Sequence, residues 1–257
     1  LSLQLSKIKL DMRQKGICKV SLFMLVSAVL MNSCDPFFNC VDGNGILKQE
    51  ERFVTSFSGV ENTTEANVDV IADSVYSIKV TADENLLGII ETSVRSDNNL
   101  VISMDNGRCV RTDNYMLVEI HMPYLDYVEL TGSGNVDVYD FECQDIEIIN
   151  SGSGGIDVIN LYSTGAVDLS VYGSGSISIW GKAHTGDYLL TGSGDILADG
   201  LMVDDCYVSN SGSGNVYCHA YDYLEAVLNG SGDIIYSGNP VTEFTDNGSG
   251  VIRSRTN

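Results

Sequence analysis

From residue 131 onward, apolar positions recur every second residue, in short runs separated by Gly-Ser-Gly triplets. Counted from the first Gly of each triplet, positions four and six hold Val136 and Val138, Ile156 and Val158, Ile177 and Ile179, Ile196 and Ala198, Val216 and Cys218, and Ile234 and Tyr236. Four and six residues before a triplet stand Ile146 and Ile148, Val167 and Leu169, Cys206 and Val208, and Leu224 and Ala226. The residues between are mostly polar, as at Asp137, Glu147, Asp157 and Ser178. A period of two on both sides of the triplet is a strand with one buried face. A helix is excluded because no 3.6-residue pattern survives and Gly recurs too often.

The first Gly of the seven triplets falls at 132, 152, 173, 192, 212, 230 and 248. A period near 20 residues is the sign of a solenoid. An antiparallel meander would not need the same tripeptide at every second turn. A parallel β-helix does, because equivalent residues stack coil on coil. Six intervals at about 4.8 Å make about 29 Å of solenoid. The expected reason for glycine is twofold: a tight corner wants φ > 0, and stacked corners leave little room for a Cβ. Ser adds a small hydroxyl for a nearby backbone group. No Gly-Lys-Ser/Thr follows a triplet, so these are not phosphate loops. Asn150 and Asn210 lie two residues before a triplet, but Leu130, Val171, Leu190 and Leu228 at the same position interrupt a ladder. Asn135, Asp195, Asn215 and Asp233 share the position three after the first Gly, in a row that Gly155 and Ser176 break.

Residues 46–122 lack the triplet yet still alternate, in "RFVTSFSGV", "ANVDVIAD", "YSIKVTAD" and "YMLVEIHMP". They are expected to be an N-terminal all-β portion that starts or caps the solenoid, with the repeat β-helix over 123–257. Arg253 and Arg255 on the last strand are expected to discourage end-to-end stacking. Residues 1–33 read as a signal peptide. Lys7, Lys9, Arg13, Lys15 and Lys19 precede an apolar run from Val20 to Leu30, too short to span a bilayer. Ser33 before Cys34 resembles a lipobox, with Met31 and Asn32 departing from the usual residues. Lipidation at Cys34 is the expectation, with plain secretion as the alternative and 34–45 as a tether. A membrane partner through that anchor follows.

Charge narrows the partners. The chain has 35 Asp and Glu against 14 Lys and Arg. Losing residues 1–33 removes five cations and Asp11, leaving 9 against 34. Such a surface repels nucleic acid, which is not expected as a partner. From residue 112 onward only Lys182, Arg253 and Arg255 are basic, against 21 acids. A lyase of acidic sugars would need more cations. Paired carboxylates such as Asp137 and Asp157 are what a glycoside hydrolase needs, but stacked coils supply such pairs cheaply. His121, His184 and His219 are scattered, and no Cys-x-x-Cys appears. No catalytic residue, metal site or cofactor is expected. The five cysteines beyond Cys34 (Cys40, Cys109, Cys143, Cys206 and Cys218) are odd in number, which argues against a complete disulfide framework. Cys206 and Cys218 occupy inward positions and read as core thiols. Tyr139, Tyr162, Trp180, Tyr217, Tyr221 and Tyr223 are candidates to stack on sugar rings or to pack.

The strand segment from "RFVTSFSGV" to "NLVISM", followed by repeated "LTGSGNVDV" units, resembles the putative auto-transporter adhesin, head GIN domain family over about residues 50–257. The resemblance implies an all-β fold, a right-handed parallel β-helix, in a bacterial envelope protein. The expected function is a non-catalytic, lipid-anchored adhesin or binder of a surface glycan or protein, in an outer-membrane setting. A periplasm-facing structural or sensing accessory and a glycan-active enzyme are the alternatives.

Overall fold

The structure, a computed structural model, describes residues 40–54 and 56–255. The signal-peptide reading of 1–33 and the lipidation reading of Cys34 lie outside them. Residues 40–257 form one compact unit. Almost every element is a strand; one 3₁₀ turn covers Asp105–Gly107. The repeats stack as parallel coils in a β-solenoid, about 20 residues per turn.

Each coil contributes one strand before its triplet and one after it. On one wall Tyr127–Leu130, Ile146–Asn150, Ala166–Val171 and Thr185–Leu190 pair in order, all parallel. On the other wall Val136–Tyr139, Ile156–Ser163 and Ile177–Lys182 do the same. Equal residues therefore face equal residues, and the inward positions form columns. One column runs Val136, Ile156, Ile177, Ile196, Val216 and Ile234, all buried. Burial of such aliphatics stabilises the fold by roughly 1.5–3 kcal/mol per side chain.

Not all columns hold aliphatics. Tyr188 points inward, and Gly186 two residues earlier leaves the space its ring fills. Cys206 and Cys218 are buried free thiols. Their mutual hydrogen bond and burial push the Cys206 thiol well up.

The N-terminal portion is not laid down in chain order. Gly59–Asn62 and Asn67–Ala72 form a coil directly beneath the first triplet coil. The chain then passes beyond that coil. Asn99–Met104 and Leu117–Met122 stack on its far side, also parallel. Outside these, antiparallel strands close the end: Ser77–Asp83 on Leu117–Met122, Leu47–Arg52 on Ser77–Asp83, and Ile90–Val94 on Asn99–Met104.

A disulfide joins Cys40 to Cys109, and Val41–Asp42 pairs with Val110–Arg111. Residues 40–45, expected as part of a tether, are thus tied to the capped end. Cys143 is free and half-buried.

The triplet corners correct one expectation. The glycines with φ in the left-handed region are Gly45, Gly107, Gly181 and Gly238, and none belongs to a triplet. Glycine is required by close approach instead. The Ser N–H of each triplet after the first donates to the first-Gly carbonyl of the coil before, as Ser174 does to Gly152 at 3.1 Å and Ser193 to Gly173 at 2.9 Å. A Cβ on Gly194 would fall inside 3.0 Å of the Gly175 carbonyl, and one on Gly214 inside 3.0 Å of the Gly194 carbonyl. Backbone cannot yield there.

Two side-chain devices brace the corners. Buried Asn62, Asn150 and Asn210 each clip their own turn. Asn210 Nδ2 donates to the Gly214 carbonyl at 2.9 Å, and its Oδ1 accepts from the Gly212 N–H at 3.0 Å. No continuous ladder is needed. The row three residues after the first Gly does run between coils. Asp195 Oδ1 accepts from the Asn215 N–H at 2.6 Å, Asn215 Oδ1 from Asp233 at 2.9 Å, and Asp233 Oδ1 from Val251 at 3.0 Å. Ser176 Oγ accepts from the Asp195 N–H at 2.9 Å, so Ser176 extends the row it was expected to break. Gly155, with no side chain, does interrupt it.

Candidate functional site

Outward positions also align, so each face of the solenoid carries rows of like residues. One wall shows an acidic row in strand register: Glu147, Asp168, Asp187, then Tyr207, Glu225 and Glu243. Burial and the neighbouring carboxylate push Asp168 and Asp187 upward. The other wall shows Asp69, Asp137 and Asp157 side by side. Asp137 is raised by burial, then by Asp157 and Asp69. The pair read from the sequence is therefore part of a three-member ladder.

Two recesses compare as sites. The larger, about 610 Å³, lies at the capped end beside Asp42, Glu65, Arg111 and Asn114. Its polar groups are already used. Asp83 accepts from Thr112 Oγ1 at 2.6 Å and from Asn114 Nδ2 at 2.5 Å, bonds that hold its carboxyl below the usual range. This is a structural knot.

The second, about 360 Å³, lies on the third side of the solenoid, where short strand ends stack. Tyr162, Lys182 and Met202 stand in register on successive coils. Tyr162 and Tyr221 are each 51% exposed. Tyr221 donates its hydroxyl to Met202 Sδ at 3.2 Å, and His219 packs edge-on against its ring. His184 Nδ1 lies 2.8 Å from Asp204 Oδ2. A carboxylate only accepts, so Nδ1 is the donor of that bond, and the His184 side chain is 62% exposed. Lys182 makes no ion pair among the described residues, whereas Arg253 pairs with Asp233 at 3.9 Å and Arg255 with Asp199. The recess thus gathers two half-exposed aromatic rings, a lysine without an ion pair among the described residues and an imidazole held by a carboxylate.

Of the six aromatics read from the sequence, the groove gathers Tyr162 and Tyr221. Trp180 is 48% exposed and lies across Gly200. Tyr139 and Tyr217 are half-buried. Tyr223 turns to the acidic wall, where its hydroxyl donates to Glu243 at 3.1 Å and its ring meets Tyr207 at 6.0 Å. Sequence reading left Lys182, His184, Met202 and Asp204 unconnected. The signal was present: 162, 182 and 202 are one period apart, and so are 184 and 204. Among the described residues, no group of three or more His, Cys, Asp and Glu is arranged to hold a metal ion.

Comparison with known proteins agrees with this architecture. The model of the putative auto-transporter adhesin, head GIN domain family matches residues 56–240. A crystal structure of a putative adhesin from Bacteroides fragilis superposes with a TM-score of 0.78 at 23% identity, covering 84% of this chain and all of the other. A putative adhesin from Parabacteroides distasonis gives 0.62 at 24%, covering 84% and 100%. A protein from the same species described as a putative lipid binding protein gives 0.66 at 22%, covering 85% and 100%. At these identities the likeness is one of fold. No curated protein matches the chain.

Proposed function

The chain belongs to the putative auto-transporter adhesin, head GIN domain family, and from that premise we infer that it is a non-catalytic envelope protein, anchored by lipid at Cys34, which binds a surface glycan through the Tyr162–Tyr221 groove. The observation that carries the reading is the groove itself. Its half-exposed aromatic rings, Lys182 and the His184–Asp204 pair line one recess. Family membership supports a cell-surface or envelope setting. The basic-then-apolar leader and Cys34 support the outer-membrane anchor, and the disulfide at Cys40 fastens the chain six residues later to the capped end.

Two experiments test the reading. Proteinase K is applied to intact cells carrying wild type or Cys34→Ala. Cleavage of wild type on whole cells, with the variant leaving the membrane fraction, supports surface anchoring. Protection until the outer membrane is opened turns the reading to a periplasm-facing accessory. A glycan array is then probed with wild type, Tyr162→Ala and Lys182→Ala. Ring removal is expected to weaken binding about tenfold or more, the size of one lost stacking contact. Unchanged binding by both variants rejects the groove, and oligosaccharide turnover rejects the non-catalytic part.

A further inference from the structure

The two ends of the solenoid are finished differently. At the N-terminal end the outermost strands are antiparallel, and Leu47–Arg52 reads LKQEER, a charged edge of the kind that resists pairing. At the C-terminal end the last strand on one wall, Val241–Asp246, reads VTEFTD. It pairs with Tyr223–Leu228 on one side, and no described strand lies on the other. All six of its residues are exposed, with Val241 at 72% and Phe244 at 41%.

Phe244 is an inward position: it lies over buried Ala226 and ends the column of core side chains on that wall. The strand is rich in β-formers, carries no cation and has no bulge. Arg253 turns back to Asp233, and Arg255 to Asp199, both within the same chain.

We propose that this free edge is a homophilic contact, in which Val241–Asp246 pairs antiparallel with the same strand of a second copy about a two-fold axis at Phe244. Self-complementarity selects this occupant and this register. With Phe244 opposite Phe244 of the second copy, inward residues meet inward ones, so the core columns close against each other. Thr242 then faces Asp246, and Glu243 faces Thr245. Asp246 Oδ1 accepts from the Gly248 N–H at 3.2 Å, which leaves Oδ2 for the Thr242 hydroxyl of the other copy. The neighbouring inward registers are worse. One sets Glu243 directly against Glu243, like charges across a ladder, and the other sets Asp246 against the Phe244 ring. Charge favours the same register. In this register Glu243 and Asp246 each face a threonine of the other copy and no carboxylate. Aromatic pairing and continued main-chain bonding are the attractive terms.

The contact has a consequence that rests on the anchoring reading above. The two-fold puts the capped ends, to which Cys40 is tied, at the far ends of the pair. Such a pair joins two facing surfaces and does not form side by side in one membrane.

The test uses the full chain with Cys34→Ala, secreted without an anchor, so that pairing is measured apart from anchoring. Sedimentation up to about 0.1 mM is expected to show a dimer, weakened about tenfold or more by Phe244→Lys. In oxidising medium Phe244→Cys is expected to give a covalent dimer, because that residue faces itself. Glu243→Cys is expected to form no covalent dimer under the same conditions, and thermal melts confirm that each variant is folded. A monomer throughout the range, a dimer indifferent to Phe244→Lys, or equal cross-linking of both cysteine variants overturns the proposal. Vesicles bearing the acylated wild type are then expected to cluster, and those bearing Phe244→Lys to stay apart. A dimer in solution without clustering supports the edge contact and overturns the facing-surface consequence, while a shaved, anchored protein that stays monomeric leaves the envelope reading and removes this one.

Discussion

The first corner of the solenoid and the later ones hold the same place in the coil and different residues. The coil of Gly59–Ala72 turns at Thr64 and Ala66, and the coils above it turn at Gly-Ser-Gly. A Cβ on Gly132 or Gly134 would meet the carbonyl of Thr64 or Ala66. Beneath Thr64, the coil before takes twelve residues from Met104 to Leu117, by way of a 3₁₀ turn and the disulfide. With no tight corner stacked under it, a side chain is tolerated. Glycine is thus a mark of having a neighbour below. The comparison extends to the means of support. The capped end uses a disulfide, antiparallel strands and ion pairs such as Arg95–Glu61 and Lys79–Glu119. The repeats use main-chain stacking, Asn clips and the Asx row.

The strongest way to break the comparison is to exchange its terms. Gly194→Val forces a side chain into the Gly175 carbonyl and is expected to cost about 3 kcal/mol or more. Ala66→Gly, at the equivalent position of the first corner, is expected to cost about 1 kcal/mol or less. Urea unfolding of the two variants checks this, and equal losses would defeat the account of the corners. Next in size is Cys109→Ser, which opens a loop of 69 residues and is expected to cost about 2–4 kcal/mol. Its loss should appear first as hydrogen exchange at the capped end, with the repeats still protected.

Asn210→Ala removes a buried clip and leaves the Gly214 carbonyl without it. A cost of about 2 kcal/mol is expected, against about 1 for Asp195→Ala, whose corner is more open to water. Smallest, and opposite in sign, is relief of the acidic row. Asp168 and Asp187 have folded pKa values raised above the ordinary 3.8, first by burial and then by a carboxylate neighbour. Their charged forms are disfavoured on folding. The penalty is therefore present at neutral pH and fades as the pH falls through the raised values. Both are well exposed, so each Asn substitution is expected to add only about 0.3 kcal/mol at pH 7 and nothing at low pH. Thermal melts of the double variant at both pH values check the sign. The Asp83 carboxyl works the other way: its pKa is lowered, so the stability it lends the cap is lost as the pH falls through the ordinary carboxylate range.

Much of this was legible in the chain, and the exceptions share a cause. The coil period, the inward columns and the free thiols at Cys206 and Cys218 follow from alternation alone, because a strand repeats every two residues whatever surrounds it. The groove was harder to see. Tyr162, Lys182 and Met202 are far apart in sequence and lie beyond a register shift in the strands that follow the triplets, so only the one-period spacing links them. The cysteine pairing was not legible either, since Cys40 and Cys109 meet through a cap whose strands are not in chain order.

What the sequence determined by itself was the coil: its length, its buried face and the place of every corner, because local sterics and a period of two are properties of the chain. What only the tertiary structure decided was the meaning of the glycines, the order of the first coils, and which end of the solenoid stays open. Each of these depends on what lies one coil away, and that distance is not written in any single repeat.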